Sequence, residues 1–549
     1  MTPALDPNAH EWDVIIFGAG MAGATLGYAL AKAGKKVLFC EQGGSYLTDV
    51  QSLKGDYAET FFDWPEAPQP KHKETLQRAS RWWDEIDDVS NVAPRSFIPF
   101  IGAGAGGSSA LFGMALERFF PNDFTPGQHH PNAHEADLPA AWPISSEELK
   151  PYYAQAERLY RVRGGADPLK GDTDGTALLP PPRFSPASKE LSAFLKAKGL
   201  NPYHLPLACE HVPGCSGCQG YLCPRNCKND SARICLAPAI ALHGATVLER
   251  CRLVKLEASK DAVTQAVCIQ DGRTFTLTAD TFVLAAGALA TPAILLRSAS
   301  ADWPQGLAND SGLVGRFLMR HFVDLYPTFA HTTEPHVGNS KQLAFNDFYL
   351  TGGLKLGSVQ SFGSMPPTDV IIASLKDDAR HGPLGRAAAG GVALMTPVLR
   401  LFLQRLFNRA TVLASVLEDL PYADNRVTIS EAGRLAISYR IRDYDQDRIR
   451  VFREKISASL SPYRFMLFKQ AENNQRLAHV CGTCRFGADP RRSVLNANNR
   501  AHGVKNLYVV DASFFPSSGG TNPALTIAAN ALRVADHMIG PEVRDTNQD

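Results

Sequence analysis

Asp13-Val-Ile-Ile-Phe-Gly-Ala-Gly-Met-Ala-Gly, residues 13–23, decides the fold. Strand-forming residues run directly into Gly18, Gly20 and Gly23, and Ala22, Ala24, Leu26, Ala29 and Leu30 continue as the small-residue face of a helix. In such a unit the first glycine permits the tight turn, the second lets the backbone approach a pyrophosphate, and the third lets the helix pack close on the sheet. The phosphates then meet the unpaired N–H groups of the helix N-terminus. Lys36-Val-Leu-Phe-Cys supplies a second strand ending at Glu41. Its distance from Gly20 is close to the ~20 residues that place an acid on an adenosine ribose. An isolated GxGxxG is weak, but strand, glycines, helix, second strand and acid occur here in order, which favours a dinucleotide-binding unit over an ordinary strand–turn–helix.

Around this unit, 549 residues are too many for one simple core and point to two or three domains or one elaborated two-lobed unit. Hydrophobic residues make up 44% and charged residues 20% of the chain, as in a soluble globular protein. A net charge of +1 offers no footprint for nucleic acid. The first twelve residues hold no apolar stretch of the kind a secretory signal needs, and no apolar run reaches the ~20 residues of a spanning helix. A cytoplasmic location is the expectation. Of the eleven cysteines, six fall within residues 209–235, a clustering that points to metal or redox chemistry more than to a stapling framework.

A second glycine-rich stretch, Phe100-Ile-Gly-Ala-Gly-Ala-Gly-Gly-Ser-Ser-Ala-Leu-Phe-Gly, has apolar flanks that would be buried. A buried turn of this composition implies close backbone approach to a flavin or phosphate rather than a flexible linker. Residues 121–205, with a helical pattern over Glu147–Arg161, read as an insertion. Strand alternation returns at Ala245–Glu257 and Thr274–Val283, and Asp280–Pro292 leads through a glycine turn into a helix over Pro292–Ser298, a second crossover of the nucleotide fold. From about 321 to 475 alternating segments such as Asn425–Ser430 and Leu435–Arg440 predict a lobe with an antiparallel sheet, the floor of a substrate pocket. Within it, Ala387–Leu399 is nearly free of charge and is followed by Arg400, Arg405 and Arg409. The first expectation there is a buried helix, the alternatives a pocket lid, a membrane contact or a protein-partner surface near 387–409. The fold class is therefore α/β: a Rossmann-like lobe over 1–50, 95–125, 236–320 and 476–549, interrupted by a substrate lobe and insertions over 51–94, 126–235 and 321–475.

The C-terminal run His479-Val-Cys-Gly-Thr-Cys-Arg-Phe-Gly, His502 to Ser513, Pro516 and Thr521-Asn-Pro-Ala-Leu-Thr-Ile-Ala-Ala-Asn-Ala resembles the signature end of the glucose–methanol–choline (GMC) oxidoreductases. Residues 102–113 resemble that family's second flavin-contacting motif, and Val314-Gly-Arg-Phe-Leu-Met-Arg-His another family block. The resemblance implies FAD and oxidation of an alcohol by hydride transfer to the flavin. It places the catalytic base on His479 and its hydrogen-bonding partner on Asn522. The chemistry agrees, because an alcohol proton needs a base near neutral pH and imidazole is one, whereas an amide can only orient the hydroxyl. The resemblance further implies flavin contacts at Gly106, Gly107, Ser108 and Ser109, ribose binding by Glu41, pyrophosphate or ribityl contacts at Asp511 and Ala512, and cofactor contacts at Val254 and Pro523. Leu111-Phe112 replaces the common Ile-Asn pair and the glycine-rich motif lacks a histidine, so the flavin is expected to be non-covalent. Cys481 is a departure from the small residues or proline usual there.

Cys209, Cys215, Cys218, Cys223, Cys227 and Cys235 form C-x5-C-x2-C-x4-C-x3-C-x7-C. The run Cys223-Pro-Arg-Asn-Cys resembles a segment of GMC-type sugar dehydrogenase subunits. The spacing leaves three readings open: an iron–sulfur cluster or Zn on Cys215, Cys218, Cys223 and Cys227; disulfides or paired thiols that shape the loop; or unlinked cysteines. The function expected is FAD-dependent oxidation of an alcohol group on a sugar, cyclitol or glycosylated metabolite, with oxygen or another electron acceptor. Alternatives are an FAD-binding lyase on the same scaffold and an electron-transfer subunit using a metal cluster at 209–235.

Overall fold

The computed structural model describes residues 12–62, 70–91, 94–171, 175–331, 341–380 and 385–540. Five strands drawn from distant parts of the chain form its central parallel sheet, in the order Leu507–Val509, Ala279–Leu284, Trp12–Phe17, Val37–Cys40 and Thr246–Leu248. Ile15, Ile16, Phe39, Phe282, Val283, Leu284 and Val509 are fully buried, which explains why these strands read as continuous apolar runs. The helix Met21–Lys32 covers one face and packs against Ala524–Ile539, the helix that follows the last strand. A three-stranded antiparallel sheet, Cys251–Ala258, Val263–Gln270 and Arg273–Leu277, flanks this core. The helices expected at 147–161 and 292–298 occupy Ser146–Leu159 and Ala290–Arg297. The first of these is an insertion in sequence only, because Leu149, Tyr153 and Ala156 lie in the nucleotide-lobe core and Tyr153 hydrogen-bonds Thr526 at 2.7 Å.

The second layer is a six-stranded antiparallel sheet in the order Arg464–Phe465, Phe322–Phe329, Thr411–Leu417, Gly357–Ser361, Leu343–Phe345 and Tyr203–His204. The α/β class with an antiparallel second layer is thus as expected. Two of the strands anticipated for that layer lie elsewhere. Arg426–Ile429 and Leu435–Ser438 pair with each other and then with Ile86–Asp88 and Arg95–Phe97 in a separate four-stranded sheet. Local alternation identifies a strand but not the sheet it joins.

The buried helix expected over 387–399 is overturned. Two helices, Gly385–Leu394 and Thr396–Phe407, meet at a 67° bend. Leu394, Met395, Val398, Leu401 and Phe402 are exposed, and only Leu403 and Leu406 are buried, against a small cluster with Ile372. The run of alanines and glycines at 387–391 offers too little side chain to anchor a helix in a core, so composition alone misleads here. Among the described residues no single helix is long and apolar enough to cross a membrane, although this bent pair meets the length and composition requirement jointly.

Candidate active site

Two glycine-rich turns meet at the C-terminal edge of the parallel sheet. Gly18 has φ +107°, and a Cβ there would lie 2.4 Å from the Ala285 carbonyl oxygen. A Cβ on Gly23 would lie 2.0 Å from the Gly18 carbonyl oxygen, so only glycine allows this helix to start so close to the strand. The second turn crosses the first backbone to backbone: Gly106 N–H donates to Ala19 O at 2.9 Å, and a Cβ on Gly107 would stand 2.9 Å from Gly20 Cα. The helix that follows Gly20 has no side-chain cap, so its first N–H groups face this crossing.

Glu41 sits just past the end of the second strand and is buried; its carboxylate accepts from Ala19 N at 2.9 Å and Gly43 N at 3.1 Å. Burial raises its pKa against those two hydrogen bonds. Ser109 is buried, donating to Gly106 O at 2.7 Å and pairing with Ser231 Oγ at 2.9 Å, whereas Ser108 is exposed and accepts from Gly102 N at 3.0 Å. Val254 falls where the register of its strand shifts between Leu253 and Lys255. Asp511 is buried and bridges two loops, accepting from Ser513 N and Gly287 N, both at 2.9 Å; Ala512 follows it and Pro523 begins the last helix. A cradle of close-packed glycine backbone, an open helix N-terminus and a carboxylate at the end of the second strand fits a dinucleotide such as FAD.

The catalytic candidates come together where the segment around His321 pairs with the segment around His479. Val314–His321 runs antiparallel beside Ala478–Thr483: Met319 and Cys481 exchange backbone hydrogen bonds at 3.0 Å, and His321 N–H donates to Ala478 O at 2.9 Å. This pairing places His321 Nδ1 2.9 Å from His479 Nδ1. His479 adopts φ +57°, a left-handed conformation uncommon outside glycine. Its Nε2 faces Asn522 Nδ2 at 3.4 Å. Burial pushes His479 well below the ordinary imidazole range, with His321 and Lys341 adding to the shift, so the ring is neutral at neutral pH. Burial pushes His321 down to about 4, against the hydrogen bond from its Nε2 to Gly519 O at 2.8 Å.

Sequence reasoning missed Gln360 and Lys341. Gln360 projects from the fully buried strand Gly357–Ser361, and its Nε2 donates to Asn522 Oδ1 at 2.8 Å. Its Oε1 and the Ser358 hydroxyl are buried and lack a hydrogen-bond partner among the described residues. The available signal was Ser358 and Gln360 at alternate positions of an otherwise enclosed strand, where buried polar groups call for partners. Lys341 Nζ donates to Gln219 Oε1 at 3.2 Å, and burial pushes it down to about 8. His502 lies apart from the reacting groups, bonded to Ser493 Oγ at 2.8 Å.

All eleven cysteines are free and buried. The sulfurs gathered most closely are those of Cys209, Cys215 and Cys227, all within 4.8 Å of one another. Cys215–Cys227 is 3.3 Å, Cys209–Cys215 3.7 Å and Cys223–Cys227 3.5 Å, longer than the ~2.05 Å of a disulfide. Of the set anticipated from spacing, Cys215 and Cys227 lie in this group with Cys209, Cys223 adjoins it through Cys227, and Cys218 pairs with Cys223 and stands 3.7 Å from Ser216 Oγ. Cys235 stands apart, 3.4 Å from Tyr160 Oη.

Comparison with known proteins places these features in context. Family models described as GMC oxidoreductase match residues 12–323 and 421–531. The chain is 30% identical to 6'''-hydroxyparomomycin C oxidase of Streptomyces lividus, over 97% of this chain and 93% of that protein. It is 29% identical to paromamine 6'-oxidase of Streptomyces fradiae, over 96% and 91% respectively. Among solved structures, pyridoxine 4-oxidase from Mesorbium loti superposes with a TM-score of 0.63 at 20% identity, covering 96% of this chain and 98% of that one.

Proposed function

The chain belongs to the GMC oxidoreductase family, an FAD-binding enzyme family that oxidises alcohols, and from that premise we propose that it oxidises one hydroxyl of a polyhydroxylated, amino-sugar-like molecule to a carbonyl. The residues at the crossed glycine turns would hold FAD non-covalently: Gly18, Gly20, Gly23 and Gly107 at the pyrophosphate, Glu41 toward the ribose, and Ser108 and Ser109 toward the flavin. When bound, FAD supplies the acceptor for a hydride from the alcohol carbon. His479 Nε2 takes the hydroxyl proton as the carbon–hydrogen bond breaks. Asn522 fixes the direction of that hydroxyl by its amide N–H.

The observation that carries the substrate class is the lining of the site. Among the described residues Gln360 Oε1 and Ser358 Oγ are buried acceptors without partners, and Lys341, which acts on His479, hydrogen-bonds Gln219. Such a surface is costly unless a ligand supplies donors, as neighbouring hydroxyl or ammonium groups would. The names of the two aminoglycoside oxidases support the same class. The test is anaerobic bleaching of the bound flavin by aminoglycosides, free hexoses, a simple diol and a monohydric alcohol. Fastest bleaching by the polyhydroxylated group is expected, and bleaching confined to the monohydric alcohol would refute the substrate class. Acid precipitation should leave all yellow colour in the supernatant; colour retained in the pellet would mean a covalent flavin.

A second reading concerns the cysteines alone. The convergence of Cys209, Cys215 and Cys227 supports a bound thiophilic metal: Zn would be structural, and only an iron–sulfur cluster would add an electron exit to the same oxidation. Metal and acid-labile sulfide analysis of the purified protein distinguishes the two and, if both are absent, removes this reading.

A further inference from the structure

We propose that His321 is a positioning residue that selects the tautomer of His479, and that the Gly519 carbonyl is the fixed end of the chain that makes the selection. The inference rests on His479 being the base.

Five groups lie in one line. His321 Nε2 is 2.8 Å from Gly519 O, His321 Nδ1 is 2.9 Å from His479 Nδ1, His479 Nε2 is 3.4 Å from Asn522 Nδ2, and Gln360 Nε2 is 2.8 Å from Asn522 Oδ1. Only one of these groups has a role that no protonation or rotation can reverse. A carbonyl oxygen accepts and never donates, so His321 Nε2 must carry a hydrogen. A neutral imidazole has a single N–H, which leaves His321 Nδ1 as an acceptor. His479 Nδ1 must then be the donor, and its Nε2 carries the lone pair.

The opposite assignment is self-consistent everywhere except at one end. Turning both amides would let His479 Nε2–H donate to Asn522, with His321 Nδ1–H donating back to His479 Nδ1. It would then set a bare His321 Nε2 lone pair against the Gly519 oxygen, with no hydrogen between them. Protonating both nitrogens of His321 would avoid that clash, but burial holds its pKa down to about 4. The charged groups facing the pair are Lys341 on the His479 side and Glu418 and Lys355 on the His321 side, the two last paired with each other at 2.7 Å.

The carbonyl itself is held in place. Tyr349 Oη accepts from Gly520 N at 2.7 Å and donates to Asp123, and Ser518 Oγ accepts from Asp419 N at 3.1 Å. The position of Gly519 O therefore does not depend on His321. When His479 Nε2 takes the alcohol proton, the Nδ1–H to His321 bond becomes charge-assisted and strengthens as the cation forms. No proton passes to His321 in this step.

The test uses the holoenzyme labelled with ring-15N histidine, the His479 signals being identified by their loss in His479→Gln. The parent should show His479 with a protonated Nδ1 and an unprotonated Nε2; the reverse pattern would overturn the proposal whatever the substrate is. His321→Asn keeps an acceptor opposite His479 Nδ1, and His321→Phe removes it. The Asn variant should retain the parent tautomer and reduce its flavin within about threefold of the parent rate. The Phe variant should show mixed tautomers and slow by at least tenfold, since a base held in the wrong tautomer can cost up to ~10⁴-fold. Equal tautomer patterns in the two variants would refute selection by His321. If the Phe variant fails to fold, the parent spectrum and the Asn variant still decide the matter.

Discussion

Gln360 donates its amide N–H to Asn522 Oδ1 at 2.8 Å, joining the floor of the antiparallel layer to the start of the last helix of the nucleotide lobe. The bond orients the Asn522 amide so that its N–H group turns toward His479 Nε2. It also turns Gln360 Oε1 away from Asn522 and leaves it buried without a partner among the described residues. One side chain thus ties Asn522 and His479 to the buried strand Gly357–Ser361.

Gln360→Ala should raise KM for a polyhydroxylated substrate by about 3- to 10-fold, the worth of one neutral hydrogen bond. A monohydric alcohol lacks the second hydroxyl and should show a smaller change in KM. Steady-state kinetics on the matched pair of alcohols reads the difference; equal changes would mean that Oε1 meets no substrate group.

His479→Ala should slow anaerobic flavin reduction by ~10²–10⁴-fold, the range for loss of a general base. Substrate affinity should change far less, because the lost interaction develops in the transition state. Asn522→Ala should cost less, since the base remains. Stopped-flow bleaching with an unchanged flavin spectrum separates lost catalysis from lost cofactor.

Lys355 is fully buried between Asp123 at 2.8 Å and Glu418 at 2.7 Å, and His130 Nε2 stands 2.9 Å from Glu418 on the far side. Lys355→Met leaves two buried carboxylates facing one another without their cation. A loss of about 3–5 kcal/mol in unfolding free energy is expected from chemical denaturation, as for a broken buried ion pair.

Burial holds both His130 and His321 down to about 4 in the folded protein, against ~6.5 in an unfolded chain. Between those values the unfolded chain binds protons that the native state refuses, so stability is full above ~6.5 and falls as pH drops toward 4. Each group contributes on the order of 3 kcal/mol across that window. Thermal unfolding as a function of pH should show this slope, and His321→Asn should make it shallower.

Purified protein should contain Zn or iron with sulfide bound at Cys209, Cys215 and Cys227, and Cys215→Ser should release the metal while leaving the flavin in place. Metal content and the visible spectrum of parent and variant measure the two sites separately.

The nucleotide-binding half was legible in the sequence because its constraints are local. Gly18 and Gly23 must be glycine where a Cβ would strike backbone 2.4 and 2.0 Å away, and such positions leave a mark at fixed spacing whatever the rest of the chain does. His479 and Asn522 were legible for a different reason, lying in C-terminal motifs resembling those of a known family. The strands at 426–429 and 435–438 were legible as strands, but which sheet they join depends on partners at 86–88 and 95–97, more than 300 residues away. The exposed apolar helices near 394–402 were misread because hydrophobicity records a tendency to be covered and says nothing of whether covering residues exist. Only the tertiary structure brought His321 from position 321, Gln360 from position 360 and the Gly519 carbonyl to one hydrogen-bonded line through His479 and Asn522. Side-chain direction across a sheet and the donor or acceptor character of a distant carbonyl leave no local pattern, so the sequence alone puts His479 forward as a candidate, and only the folded chain shows which groups its two ring nitrogens face.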